Sequence, residues 1–515
     1  MGEIVTIERM GFGPEAVAHL ESGKAVFVEG AAPGDVLSIE VTEEKPSFAR
    51  ARIVEVQSPS PDRVAPTWAE PSARGVAPWQ HLAYEAQLVA KTDNVVAALS
   101  RTAKFGDERA AALVRPCLGS KRQWGYRNKV ELGAAFDEAG SFQLGFHDEG
   151  CTDVVASATC PVAYKQIERA PKALRGALRF AQGADNLGIF RVGVRHSVRT
   201  HSTEVALWTT PAAFPRGHVA NILKGSFKAT SIVRVLADPG RARKIKGVEV
   251  LDGKGFWEEK LLGFTFRVAA PSFFQVNTAQ AEKLIGEVIR GLGGEVGDEG
   301  PAGLDEMLIA DLYSGGGTFS IPLAAAGADV IAVESAGSSV RDLRRNADAN
   351  GVDIEVIGGD AARELPDLGE LDALVVDPPR AGLADGVVES IAAARPERVA
   401  YVSCNPATWA RDVARFEENG IPYEIFHAED EYEVWLVIEP ATHPFAYLLK
   451  MGINCDEERS RPMTHEEMQH LRVVIPRVQG GTALETTLYG AATLWMYRQQ
   501  QEIQKKDNDP LGLGL

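Results

Sequence analysis

The stretch 307-MLIADLYSGGGTFS-320 runs from an apolar, strand-like start into a cluster of glycines and then toward a helix. Glycines at such a junction permit a tight turn and let a ligand approach the backbone closely. The spacing differs from the GxGxxG of a dinucleotide site. Further apolar runs follow at 329-DVIAVE-334, 353-DIEVIGG-359, 373-ALVVD-377 and 398-RVAYVS-403, alternating with helical segments. That alternation predicts βαβ units and a doubly wound parallel sheet over this part of the chain.

The ends of these runs carry the polar residues. The second ends in Glu334, whose carboxylate can accept both hydroxyls of a ribose, and the third in 359-GDA-361, where Asp360 can face an adenine amine. Strand ends aligned in this way point to a nucleoside ligand without a pyrophosphate. The fourth ends in 376-VDPPRAGL-383, where two prolines stiffen the loop and Asp377 faces the reactive end of the ligand. The fifth delivers Cys404, within 401-YVSCNPATWARD-412, to the same edge. A solitary cysteine is by default a small hydrophobe in a core gap. At the mouth of a nucleoside pocket the thiol becomes a candidate nucleophile.

Outward from this region, the chain of 515 residues is 45% hydrophobic and 24% charged, enough for two to four globular domains. No apolar run is long enough for a membrane helix, and MGEIVTIERM at the start does not read as a signal peptide, so a cytoplasmic protein is expected. Five cysteines, at 117, 151, 160, 404 and 455, show neither a disulfide framework nor zinc spacing. A net charge of −17 argues against a broad nucleic-acid-binding surface. Local basic clusters at 121-KRQWGYRNK-129, 191-RVGVRHSVRTH-201 and 241-RARKIK-246 leave a focused one open.

The short β runs 24-KAVFVEG-30, 36-VLSIEVTEE-44 and 50-RARIVEV-56 predict a small barrel over 1–57. A Pro/Ser joint at 58–63 and a helix over 82–102 come next, and then mixed strands and helices to 270, an α+β central domain. A helix over 279–291 and a surface loop over 292–303 complete the lead into the alternating region.

Taken in order, 271-PSFFQVN-277, 311-DLYSGGGTFS-320, 377-DPPRAGL-383 and 403-SCNPATWARD-412 resemble the S-adenosylmethionine-dependent RNA uracil-5-methyltransferases, which modify tRNA or 23S rRNA. The segment 125-GYRNKVE-131 resembles the central-domain signature of that family, and the barrel is similar to its TRAM domain. The resemblance covers about residues 1–430. It implies a multidomain α/β protein with an OB-like TRAM barrel (1–57), a central RNA-binding domain (58–270) and a Rossmann-like methyltransferase domain (271–445), followed by an extension of unassigned role (446–515). It further implies that Gln275, Tyr313, Thr318, Glu334, Asp360 and Asp377 contact S-adenosyl-L-methionine and that Cys404 is the nucleophile. Spacing from Cys404 to the family's general base gives Glu439, with Glu431 and Glu433 as alternatives because the motif around it departs from the family pattern. The implied partner is RNA, the implied state a monomer.

Such chemistry needs a thiol. Carbon 5 of uracil is a poor nucleophile until a thiolate adds to carbon 6, and a carboxylate must afterwards remove the carbon 5 proton. A second departure concerns metal. Many relatives hold an iron–sulfur cluster through cysteines before a Trp-Gln-His, whereas 68-WAEPSARGVAPWQHL-82 keeps the Trp-Gln-His and has no cysteine. Cys160 alone stands where the fourth ligand would be, so no cluster and no other metal is expected. The alternative to an active enzyme is an RNA-binding or folding-assistance protein with weak or lost activity.

Overall fold

The computed structural model describes residues 2–419, 423–426 and 434–438, apart from 71–72, 74, 148–153, 184 and 240–243. The account below concerns the first of two compact units, Met1–Asn419 with Glu424–Val437.

The N-terminal segment forms a six-stranded sheet. In Ala25–Glu29 the alternation is direct: Val26 and Val28 are buried and their neighbours are not, as a strand with one face on a core requires. Trp79, Leu82 and Ala90, from beyond the Pro/Ser joint, enter the same core, so the start of the helix Tyr84–Arg101 seals the barrel. Arg63 of the joint grips the buried Asp35, donating from Nε at 2.8 Å and from Nη2 at 2.6 Å. Backbone N–H groups of Ser60 and Ala32 complete the cage around that carboxylate.

The central domain is built on a seven-stranded sheet whose middle strands are Thr203–Thr209, Ile189–His196 and Lys129–Phe136. Helices Ala170–Gln182 and Arg216–Ser226 cover one face, where Leu174, Leu178, Val219 and Leu223 meet Val192, Val205 and Leu207. The other face of Thr203–Thr209 presents Ala206 and Trp208 to a second core that includes Ala270. This strand is therefore buried throughout.

The last domain begins earlier in space than the reading from 271 suggests. The hairpin Trp257–Leu261 with Phe264–Val268, grouped with the central segment in sequence, packs Trp257, Leu261, Phe266 and Val268 into the core of the final sheet. Next comes the helix Thr278–Gly291, within a residue of expectation. The stretch 292–303 is not a plain loop. It folds into a short hairpin, Glu295–Gly297 with Gly300–Ala302, and Gly300 takes a φ of 115° at its turn.

The final sheet has seven strands: β1 (Leu308–Leu312), β2 (Asp329–Val333), β3 (Glu355–Ile357), β4 (Ala373–Val376), β5 (Arg398–Ser403), β6 (Tyr423–Phe426) and β7 (Val434–Ile438). Their order is β3-β2-β1-β4-β5-β7-β6, with β1 to β5 mutually parallel. The chain reverses its direction of winding between β1 and β4, and that switch point opens a crevice at the carboxyl ends of the strands. Among the described residues no helix is long and apolar enough to cross a membrane.

A carboxylate stands where the family's cluster would join two segments. Glu70 accepts from the hydroxyl of Ser157 at 2.7 Å, the N–H of Ala158 at 3.0 Å and the hydroxyl of Thr159 at 3.2 Å, clasping 68–82 to 157–160. Cys160 itself is packed in an apolar core with Trp68, Ala73 and Val162. Among the described residues of these two segments Cys160 is the one thiol, and a single thiol does not fit a cluster. Glu70→Ala removes the acceptor of the Ala158 N–H and the Thr159 hydroxyl, while the Ser157 hydroxyl keeps Thr159 O at 2.7 Å, and is expected to lower stability by about 1–3 kcal/mol. Urea unfolding checks this; an unchanged midpoint would show that the clasp carries nothing.

Candidate active site

The site is assembled at the switch point from the ends of β1, β2, β4 and β5. After β1 the backbone turns sharply, with Tyr313 at a φ of 63°, a region that a bulky residue occupies only when its surroundings hold it there. The glycine loop is held by Ser314, whose N–H donates to the Val333 carbonyl at 3.1 Å, and by Asn346, whose side-chain amide donates to Gly316 O at 3.0 Å. Gly317, at a φ of 90°, has no room for a side chain: a Cβ there would lie 2.5 Å from Leu343. Thr318 follows, part-exposed.

Glu334, after β2, accepts the Gly315 N–H at 2.9 Å on one oxygen and the Ala336 N–H at 2.6 Å on the other. The two backbone donors fix the carboxylate, and each oxygen keeps a second lone pair, enough to receive two ribose hydroxyls. Asp360, after β3, is exposed and caps the short helix that follows by accepting the Ala362 N–H at 3.1 Å.

Asp311, one residue before the end of β1, is a site residue that the sequence reading missed. Its side chain is fully buried; Oδ2 accepts from the Ser320 hydroxyl at 2.5 Å, and Oδ1 has no hydrogen-bond partner among the described residues. Burial pushes its carboxyl up to about 7, against the hydrogen bonds from Ser320 and with the added repulsion of Glu334. Asp377 is half-buried at the end of β4, and desolvation together with the charge of Asp311 pushes its carboxyl up to about 7 as well. An acid placed before the glycine loop was the available signal. What concealed it is that the same residue reads as part of an apolar strand.

The loop carrying Asp377 and the segment carrying Cys404 are one mechanical piece. Asn405 caps the helix Pro406–Glu418 through the Ala407 N–H at 3.1 Å, while its amide donates to Arg380 O at 3.2 Å. Thr408 donates to the same carbonyl at 3.1 Å. Arg411 donates to Ala381 O at 3.0 Å and forks onto Asp412 at 2.7 and 2.9 Å. Buried Asp412 accepts the Leu383 N–H and the Tyr401 hydroxyl, both at 2.8 Å. Gly382 lies against this network so closely that a Cβ would meet Arg411 and Asp412 at 2.5 Å. Cys404, part-exposed, stands directly before the capping Asn405. The positive end of a helix favours negative charge on a sulfur placed there.

Gln275 lies in a segment held by the central domain. Asn128, almost fully buried, donates its amide to Gln275 O at 2.8 Å and its backbone N–H to Val276 O at 2.8 Å. Arg195 donates to Ala269 O at 3.1 Å and Ser272 O at 2.5 Å. Buried Glu259 accepts from Ser197 at 2.6 Å and Thr278 at 3.0 Å. Thus 125–131 and 271–277 are held together, a contact that the sequence reading did not anticipate.

The basic clusters divide. Arg195 is internal, and Arg199 is committed to Glu282 at 2.5 and 2.7 Å, so much of 191–201 braces the fold. Lys121 and Arg122 are exposed. A groove lined by Arg9, Phe12, Phe27, Asn94, Arg101 and Pro406 runs from the barrel to the start of the helix behind Cys404. Glu439, Glu431 and Glu433 lie outside the described residues.

Three comparisons bear on this arrangement. Residues 258–420 match the family profile described as tRNA (Uracil-5-)-methyltransferase, and residues 4–54 match the TRAM domain. An uncharacterized RNA methyltransferase of Gloeobacter violaceus is 33% identical over 436 residues, which cover 81% of this chain and 91% of the relative. One from Halalkalibacterium halodurans is 29% identical over 452 residues, covering 85% and 95%. Among solved structures, the Pyrococcus abyssi tRNA (uracil-54, C5)-methyltransferase in complex with S-adenosyl-L-homocysteine superposes with a TM-score of 0.63. It is 25% identical, over 84% of this chain and 99% of that one.

The Asp412 network yields a direct expectation. Asp412→Ala leaves the Leu383 N–H and the Tyr401 hydroxyl without their acceptor, a loss on the order of 3 kcal/mol. Urea unfolding measures it, and Asp412→Asn should recover part of the loss by keeping one acceptor oxygen. Equal stability of all three proteins would refute the role assigned to this carboxylate.

Proposed function

For a chain that belongs to the S-adenosylmethionine-dependent RNA uracil-5-methyltransferase family, we propose methylation of carbon 5 of a uridine in tRNA or 23S rRNA through a covalent bond between Cys404 and carbon 6. The observation that carries this reading is the attachment of Cys404 to the same rigid loop system as Asp377, beside the acid-lined crevice at the switch point. A catalyst that alkylates an amine has no use for a thiol there.

The donor, S-adenosyl-L-methionine, supplies an electrophilic methyl group on a sulfonium. The residues present suit it: Glu334 is oriented for the ribose, Tyr313 and Thr318 stand on either side of the loop glycines, Asp360 follows β3 and Asp377 follows β4 with β2 and β1 between them, and Gln275 is the further contact the family pattern gives. Four carboxyls around one crevice favour a ligand of net positive charge.

On this reading the Cys404 thiolate adds to carbon 6 of a uracil that has left its stack. The electron pair of the carbon 5–carbon 6 double bond is thereby made available at carbon 5, which takes the methyl group. Glu439, with Glu431 or Glu433 as the other candidates, then accepts the carbon 5 proton, and the sulfur leaves as the double bond re-forms. The exposed Lys121 and Arg122 and the groove with Arg9 and Arg101 support RNA as the carrier of the uridine.

Cys404→Ala is expected to lose all methylation while binding the donor as wild type does. Substituting the true base by glutamine should trap enzyme on RNA as a band stable in denaturing gels, and adding Cys404→Ala should remove that band. Mass spectrometry of RNA from a deletion strain identifies the uridine. Retained methylation by Cys404→Ala would overturn the covalent route, and a wild type that methylates no RNA would favour a binding or folding-assistance role.

A further inference from the structure

Resting on the donor site proposed above, we infer that Asp311 and Asp377 hold a single negative charge between them in the ligand-free protein, and that the cationic donor ionises both and releases a proton on binding.

The geometry begins with register. β1 and β4 are parallel, with Asp311 opposite Val375 and Leu312 opposite Val376, and the Asp377 N–H donates to Leu312 O at 3.3 Å. Side chains alternate along a strand, so positions 311 and 377 fall on the same face of the sheet, offset by one diagonal step. Asp311 is closed off from solvent, and its Oδ1 lacks any hydrogen-bond partner among the described residues. A buried carboxylate is rarely left with an unpartnered oxygen, whereas a carboxylic acid or an oxygen awaiting a cation accounts for one.

The groups that face the pair are themselves acidic or neutral. Glu334 approaches Asp311 from the loop after β2, and Ser320 from the helix that follows the glycine loop. Asp377 feels chiefly Asp311. Tyr313, beside them, lies near Asp360 and Asp412. The nearby guanidinium of Arg411 is occupied by Asp412 and the carbonyl of Ala381. Among the described residues no ion pair engages Asp311 or Asp377. Two such carboxyls titrate as a pair. Burial, with Glu334 adding to it, raises Asp311 to about 7, and desolvation with the charge of Asp311 raises Asp377 to about 7, where a small change in local charge decides their state.

S-adenosylmethionine carries a sulfonium and an ammonium against one carboxylate, a net positive charge. When its methyl group leaves, the electron pair of the broken sulfur–carbon bond stays on sulfur, and the product is a neutral thioether. A proton excluded by the donor's charge thus returns from solvent once that charge is gone. Because the pair must lose a proton for the donor to bind tightly, donor affinity rises with pH up to about 7 and levels off above it. The product's affinity follows pH less steeply.

Titration calorimetry on the full chain at pH 6, 7 and 8 tests this, each pH in two buffers of different ionisation enthalpy. The expected result for S-adenosylmethionine is release of close to one proton at pH 6 and affinity about tenfold weaker there than at pH 8. S-adenosylhomocysteine should release less. Asp311→Asn should abolish the release and flatten the pH profile. Ser320→Ala, which removes a donor that favours the charged form, should move the midpoint upward and serves if Asp311→Asn does not fold. Donor binding without proton exchange, or unchanged release from Asp311→Asn, overturns the inference while leaving the donor site standing. Absence of donor binding at every pH removes both, and the two failures are told apart by the presence of heat of binding.

Discussion

The carboxylate of Asp412 is the constraint on which the catalytic edge depends. Buried and held by the Arg411 fork, it receives a loop N–H from Leu383 and a strand hydroxyl from Tyr401, so β5, the loop after β4 and the helix after Cys404 cannot move independently. Loops at the carboxyl ends of parallel strands are ordinarily the mobile part of a doubly wound fold. Here one of them is fastened at both ends. Reacting groups must be positioned closely to be useful, and side-chain packing from a helix and a strand is the means by which a loop reaches that precision.

A second fastening joins the central domain to the segment 269–276. Asn128 and Arg195 contact backbone carbonyls of 269–276 rather than side chains, so the path of that segment is dictated from outside its own domain. Gln275 is consequently placed by residues far away in sequence. Asn128 and Gln275 are 147 positions apart. The same contacts explain why Arg195, which looks like part of an RNA patch in 191–201, is internal, while the exposed Arg199 is tied to Glu282: a guanidinium is the natural donor for several carbonyls at once.

The architecture was legible where period and punctuation agree. Five β runs alternating with helices announced the parallel sheet, and the glycines at 315–317 announced its ligand loop. Glu334, Asp377 and Cys404 could be placed at strand ends because the strands themselves could be. Asp311 could not be singled out, since its meaning comes from burial and from a neighbour on β4 that only the fold supplies. The domain limit near 270 was illegible for a similar reason. The hairpin 257–268 has the composition of the segment before it and the packing of the one after. Likewise, nothing in the run 192-VGVRH-196 tells whether Arg195 points to solvent or to a carbonyl.

The Glu70 clasp joins two stretches of the central domain with a carboxylate, two hydroxyls and an amide. A joint of that kind forms as soon as the chain folds. It draws on no assembly machinery and is untouched by the oxidants that dismantle a cluster of iron and sulfide.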